Sequence, residues 1–240
     1  MNFWVSLFVA LFAGHLAFAG EATLAVSSNF LTTAQAIVGD FEDDTGHEIA
    51  ISHGSTGQLY AQIEKGAPYD IFFAGDEVHP ALLRKAGAVL QTRTYAFGRL
   101  ALVSRDVIAP EAVGEALLGK TVALADPIVA PYGKAATRAM ERLNLDTASF
   151  RPVLLANVGQ VASVFATGNA DAAFVAVSQV PALNAPGVIP LEDLIPDIRQ
   201  DAALLLRAET NEAAQAFWDW LKTDKARALI AASGYGLPDG

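Results

Sequence analysis

Two adjacent hydroxyls, Ser55 and Thr56, stand between an apolar run ending at Ile51 and a helical pattern carrying Leu59 and Ile63. Such a pair serves as a nucleophile, as part of an anion cradle, or as a helix cap. A nucleophilic serine needs an activating base. The four histidines are His15, His47, His53 and His79. His53 is near Ser55, but no G-x-S-x-G elbow surrounds the serine, which argues against a serine-dependent hydrolase. A nucleotide P-loop is excluded, because no Gly-Lys-Ser/Thr follows the glycines. Asp76, Glu77 and His79 have no recognised metal-ligand spacing and read as a solvated loop. The chain has no cysteine, so thiol chemistry, disulfides and Cys-ligated metals are excluded.

The same chemistry recurs at other strand-to-helix junctions. They read Val26-Ser27-Ser28-Asn29, Gly54-Ser55-Thr56-Gly57, Ala130-Pro131-Tyr132-Gly133 and Ala156-Asn157-Val158-Gly159. All are small and neutral, and none carries Lys or Arg. A helix N-terminus leaves N–H groups unpaired and bears a partial positive charge. Several converging termini therefore make an anion site without a cationic side chain. Each charge-assisted hydrogen bond contributes roughly 1.5–3 kcal/mol, so five to seven offset much of an association cost of roughly 4–15 kcal/mol. A small inorganic oxyanion suits such a site better than a nucleotide. At any single junction, plain capping is the stronger reading, because it alone explains the residue type; four such junctions in one chain shift the balance toward a ligand. Asp126 reads as a turn or cap residue pointing away from the ion. Turned inward, it would favour phosphate, which carries a proton, over acceptor-only dianions.

The elements that must position these groups alternate. Strands are expected at Ala22–Ser27, His47–His53, Asp70–Ala74, Arg99–Ser104, Thr121–Ala125, Ala172–Val177 and Ala203–Arg207. Helices are expected from Phe30 to Phe41 with a stop at Gly46, and over Gln58–Lys65, Pro80–Ala86, Gly133–Leu143, Gly159–Thr167, Glu212–Lys222 and Lys225–Ala232. Alternating βα units mean a mostly parallel sheet flanked by helices, with ligands beyond the carboxyl ends of the strands. The βα units fall into two groups, before and after about Gly98, which fits two lobes in 240 residues. Residues 21–98 with 200–240 form one lobe and 99–199 the other, with crossing strands near Gly98 and Gln200. A composition of 52% hydrophobic and 18% charged residues is globular, and a net charge of −10 argues against nucleic acid as a partner. Residues 1–19 are almost uncharged and end in Ala17-Phe18-Ala19, a signal-peptide pattern cleaved after Ala19. The basic n-region is missing, and an uncleaved anchor helix is the rival reading.

The segments AVSSNF (Ala25–Phe30), HGSTGQLYAQIEKGAPYDIFFAGD (His53–Asp76), DPIVAPYG (Asp126–Gly133), ANVGQ (Ala156–Gln160) and ASGYGLP (Ala231–Pro238) follow one another across nearly the whole chain after residue 19. On them the sequence resembles the periplasmic molybdate-binding proteins of ABC importers. The resemblance implies a two-lobed periplasmic-binding-protein fold with the ligand in the cleft. It implies a monomeric, non-enzymatic periplasmic protein that captures molybdate or tungstate and hands it to a membrane ABC permease. No cofactor is implied, and molybdenum enters only as molybdate, without side-chain ligands to the metal itself. Carried over residue by residue, the oxyanion contacts fall on Ser28, Asn29, Ser55, Thr56, Tyr132 and the backbone N–H of Val158. Thr56 stands where serine is usual. The tyrosine that another branch supplies after the later strand is absent from Phe174-Val175-Ala176-Val177. The alternatives are another small anion, such as sulfate or phosphate, an organic solute, or a sensor domain; no DNA-binding segment supports the last.

Overall fold

The computed structural model describes residues 20–238. The proposed signal segment, residues 1–19, lies outside the described residues. The first run of elements is β1 (Glu21–Ser27), α1 (Leu31–Thr45), β2 (Glu48–Gly54), α2 (Thr56–Glu64), β3 (Ile71–Phe73), α3 (Val78–Lys85) and β4 (Val89–Gly98). The second is β5 (Leu100–Ser104), α4 (Val113–Ala116), β6 (Thr121–Ala125), α5 (Pro131–Arg142), β7 (Arg151–Leu155), α6 (Val158–Ala166), β8 (Ala172–Ala176) and β9 (Gly187–Pro190). The chain ends with β10 (Ile198–Leu205), α7 (Glu212–Trp220) and α8 (Asp224–Ala232).

Two five-stranded sheets result, ordered β2-β1-β3-β10-β4 and β7-β6-β8-β5-β9. In each, four strands run in one direction and a single strand, β10 in the first sheet and β5 in the second, runs against them. Each reversed strand directly follows a crossing: β4 leads into β5 through Arg99, and β9 leads back to β10 through residues 191–197. The sheets are thus mostly parallel, as the alternation suggests, with one reversed strand in each.

Register explains why the junctions meet. Val26 pairs with both His53 and Phe73, so β1, β2 and β3 end together. Ala125 pairs with Leu155 and Ala123 with Ala173, which aligns the ends of β6, β7 and β8 in the same way. Successive strand residues face opposite sides. Leu24 and Val26 therefore pack with Phe41, Phe217 and Trp218, while Ala25 packs with Leu59, Phe72 and Leu83 on the other side. The second sheet has its own core around Leu102, Val122, Phe165 and Phe174. Helix ends follow local chemistry: Gly46, at φ 75°, ends α1 with its N–H on the Glu42 carbonyl. Among the described residues, no helix is long and apolar enough to cross a membrane.

Three strands escaped the pattern reading. β4 (VLQTRTYAFG) interleaves polar residues, and β7 and β9 are short edge strands with exposed positions. β10 starts at Ile198, five residues before the expected Ala203, because pairing with β4 holds its polar first half in the sheet.

Candidate functional site

All four junctions begin helices or tight turns, and their caps are visible. Ser55 Oγ accepts from Gln58 N at 3.3 Å and Asn157 Oδ1 from Gln160 N at 3.0 Å. Pro131 occupies the first position of α5, where no N–H is needed. Among the described residues, the backbone N–H groups of Asn29, Thr56, Tyr132 and Val158 make no hydrogen bond within the protein. These are the donors a helix start leaves unpaired.

The structure brings all six expected residues together, and all are buried. A chain of side chains links three junctions. Gly75 N donates to Thr56 Oγ1 (3.0 Å), Thr56 Oγ1 to Ser27 Oγ (3.2 Å), and Ser27 Oγ to Asn29 Oδ1 (2.7 Å). Asn29 Nδ2 then donates to Gln200 Oε1 (2.9 Å), and Gln200 Nε2 to Tyr132 Oη (3.1 Å). The fourth junction closes on the first, with Gly159 N donating to Ser28 Oγ at 3.2 Å. Gly57 N also reaches Val129 O at 3.0 Å. The last three bonds each join residues that flank different sheets.

Two side chains differ in role from the sequence expectation. The Thr56 hydroxyl is committed to Ser27 and Gly75, and the Asn29 amide to Ser27, Gln200 and Tyr235. What these two residues leave free is their backbone N–H. The Ser28 and Ser55 hydroxyls accept from N–H groups, and each keeps its own proton available. Asp76 is a correction: only 7% exposed, it is no solvated loop residue. Its carboxylate holds His79 Nδ1 at 2.8 Å and His79 N at 3.1 Å. Among the described residues, no acidic, histidine or cysteine cluster is arranged for a metal. Asp126 does form a turn, its Oδ1 accepting from Ile128 N at 2.9 Å on an exposed loop.

Sequence reasoning missed Gln200, Tyr95 and Tyr235. Tyr95 Oη lies 2.8 Å from Gln200 Oε1, and Tyr235 Oη donates to the Asn29 carbonyl at 2.7 Å. Tyr235 sits inside a motif already singled out, and a polar Gln200 entering an apolar run was the available signal for the other. Phe30, next to Asn29, fastens this layer from below: its ring lies 5.6 Å from Phe73, 4.7 Å from Tyr95 and 5.4 Å from Tyr235. Phe30→Ala is expected to cost about 3–5 kcal/mol of stability, the usual range for truncating a buried phenylalanine. A chemical denaturation midpoint unchanged from wild type would refute that.

The site is uncharged. None of its lining side chains is cationic, and its tyrosines remain phenols. Burial pushes Tyr132 and Tyr95 well above the ordinary tyrosine value. Burial also raises Tyr235 to about 12, against the opposing hydrogen bonds of Ser178 and Asn29. The arrangement offers hydroxyl and backbone donors to an anion, with no nucleophile–base pair: among the described residues, no histidine bonds Ser55.

Sequence and structural comparisons agree with this geometry. A family described as bacterial extracellular solute-binding protein matches residues 22–236, and the chain belongs to that family. It is therefore a binding protein rather than an enzyme. It is 41% identical over 256 residues, covering 99% of this chain and 100% of the relative, to the molybdate-binding protein ModA of Azotobacter vinelandii. It is 38% identical to ModA of Rhodobacter capsulatus, covering 90% of this chain and 88% of that one. The solved structure of the Azotobacter vinelandii periplasmic molybdate-binding protein superposes with a TM-score of 0.82 at 38% identity, covering 91% of this chain and 100% of that one. The Mycobacterium tuberculosis sulfate-binding protein SubI shares the fold, with a TM-score of 0.74 at 17% identity over 92% of this chain and 88% of that one.

Proposed function

We propose that the chain is a periplasmic receptor for molybdate and tungstate that delivers its cargo to a membrane ABC permease. The oxyanion is cargo, not cofactor. It is held by the Ser28 and Ser55 hydroxyls, by Tyr132, and by the N–H groups of Asn29, Thr56 and Val158. The observation that carries the reading is the convergence of neutral donors from both sheets on one buried point, without a facing carboxylate. Acceptor-only dianions suit such a lining, and the ModA relatives support the choice of molybdate. Export as a monomer, with cleavage after Ala19, completes the proposal.

The two sheets with their helices act as two lobes, residues 21–98 with 200–240 and residues 99–199. An ion held by donors from both stabilises only the closed arrangement and shifts the population toward it. Excluding water strengthens each hydrogen bond, so neutral donors suffice. A transporter that separates the lobes halves the site and frees the ion.

Calorimetry of residues 20–240 against molybdate, tungstate, sulfate and phosphate tests the reading. Molybdate and tungstate are expected to bind tightly and the others far more weakly, because sulfate's shorter bonds to oxygen leave its hydrogen bonds long in a cradle sized for larger ions. Equal affinity for sulfate and molybdate would sink the assignment. The pH profile is a second check. The tyrosine pKa values are raised in the folded state, so the neutral donors persist below about pH 10, and affinity is expected to stay flat from pH 7 to about 9.5. Stability linked to these phenols is complete below the ordinary tyrosine value. It declines as pH rises from there through about 12. A tenfold fall in affinity between pH 7 and 9 would contradict an all-neutral site.

A further inference from the structure

We infer that Gln200 is a selectivity residue: it fixes the hydrogen-bond polarity of the site so that Tyr132 can only donate, which admits unprotonated tetrahedral dianions and rejects hydrogen phosphate. This deepens the molybdate reading and rests on it.

The polarity is anchored at both ends by backbone groups that cannot reverse. At one end the Gly75 N–H can only donate, so Thr56 Oγ1 accepts, and its own proton goes to Ser27 and that of Ser27 to Asn29 Oδ1. At the other end the Asn29 carbonyl can only accept. Tyr235 gives it its proton, so Tyr235 Oη must accept from Asn29 Nδ2 at 3.1 Å. Asn29 therefore presents its amino group to Gln200, and the atom it meets is Oε1. Tyr95 Oη lies 2.8 Å from the same atom but shares its one proton with the Ala74 carbonyl at 2.9 Å, so it is the Asn29 amino group that sets which end of Gln200 faces it. Gln200 is left with Nε2 toward Tyr132 Oη, at 3.1 Å. The phenol oxygen is already receiving a hydrogen bond, and among the described residues its own proton has no acceptor. The ligand oxygen is that acceptor.

The arrangement is built with little slack. Gln200 is 0% exposed and Tyr132 2%. A Cβ on Gly98 would overlap both Gln200 Nε2 and Tyr132 Oη, so glycine there lets the two meet. Gln200 also lies on the returning crossing strand, at a register shift between Gln200 and Asp201. Hydrogen phosphate must donate its proton to something. With Tyr132 held as a donor, only the Ser28 or Ser55 hydroxyl can take that proton, and only by withdrawing its own donation, so hydrogen phosphate forfeits at least one hydrogen bond in the site.

The test is the ratio of hydrogen phosphate to molybdate dissociation constants, measured by calorimetry at pH 8, where both ions are dianions and charge effects cancel. Gln200→Met frees the Tyr132 hydroxyl to turn and accept, and is expected to narrow the ratio about tenfold, one hydrogen bond's worth. Gln200→Glu takes the Tyr132 proton for itself and is expected to narrow it further. Gly98→Ala separates the pair without altering either residue and is expected to act in the same direction. In a Tyr132→Phe background, Gln200→Met should leave the ratio unchanged within about twofold, which a merely structural role would not produce. Wild-type ratios in all three single variants would overturn the inference, as would a Gln200→Met effect that persists without the Tyr132 hydroxyl. If the wild type binds sulfate instead of molybdate, the function reading falls, and the sulfate ratio decides this inference by itself; a wild type that binds no oxyanion overturns both.

Discussion

The Gly57→Leu substitution is expected to weaken molybdate binding by about 100-fold while leaving the ligand-free protein as stable as wild type or more so. Gly57 lies in the first turn of α2, and its N–H bonds Val129 O at 3.0 Å across the cleft. A Cβ there would stand 3.1 Å from Val129 O and 3.2 Å from Val129 Cα, and a branched side chain would go further into that loop. The wedge acts only when the two sheets approach each other. In the open arrangement proposed above the residue would be an exposed helix position, where replacing glycine gains up to about 1 kcal/mol. Loss of binding and gain of stability therefore separate. Calorimetry and thermal unfolding on the same sample check both. Wild-type affinity would show that closure across this contact does not accompany binding.

Ser28→Asp is expected to reduce affinity by about 1000-fold, since a like charge facing the ligand costs several kcal/mol. The design differs from the wedge, because an aspartate can still accept the Gly159 N–H that Ser28 Oγ accepts at 3.2 Å. It also places a negative charge at the start of α6, where the helix terminus favours it. The cleft is thus expected to close without ligand. Small-angle scattering should report a ligand-free radius of gyration close to that of the molybdate-bound wild type. Affinity within tenfold of wild type would mean that Ser28 does not face the ion. A ligand-free variant as expanded as wild type would mean that the Ser28–Gly159 bond does not hold the sheets together.

What could be read directly from the sequence was local. Ser55 and Asn157 cap helices because a short polar side chain before an apolar period has one dominant use. Gly46 ends α1 because a left-handed residue is needed there, and Thr121–Ala125 forms a strand with the boundaries its apolar run suggests. The four junctions and the absence of cations among them were also plain, and with them the class of ligand. Tertiary structure decided which atoms of those junctions remain free. Thr56 and Asn29 direct their side chains to partners at Ser27, Gly75, Gln200 and Tyr235, so their backbone N–H groups are what remains for a ligand. Gln200 lies 171 positions from Asn29, and no local pattern relates them. Asp76 looked solvated because its neighbours are charged and polar, yet packing at the end of β3 buries it beside His79. β4 hid its strand character because its polar residues meet their partners only in the folded sheet, with Arg93 stacked over the Trp218 ring at 3.8 Å and Thr94 on Asp201 at 2.8 Å. Propensity and capping act over a few residues and are written in the order of the chain. Hydrogen-bond polarity and burial depend on partners that only the register of two mixed sheets brings together.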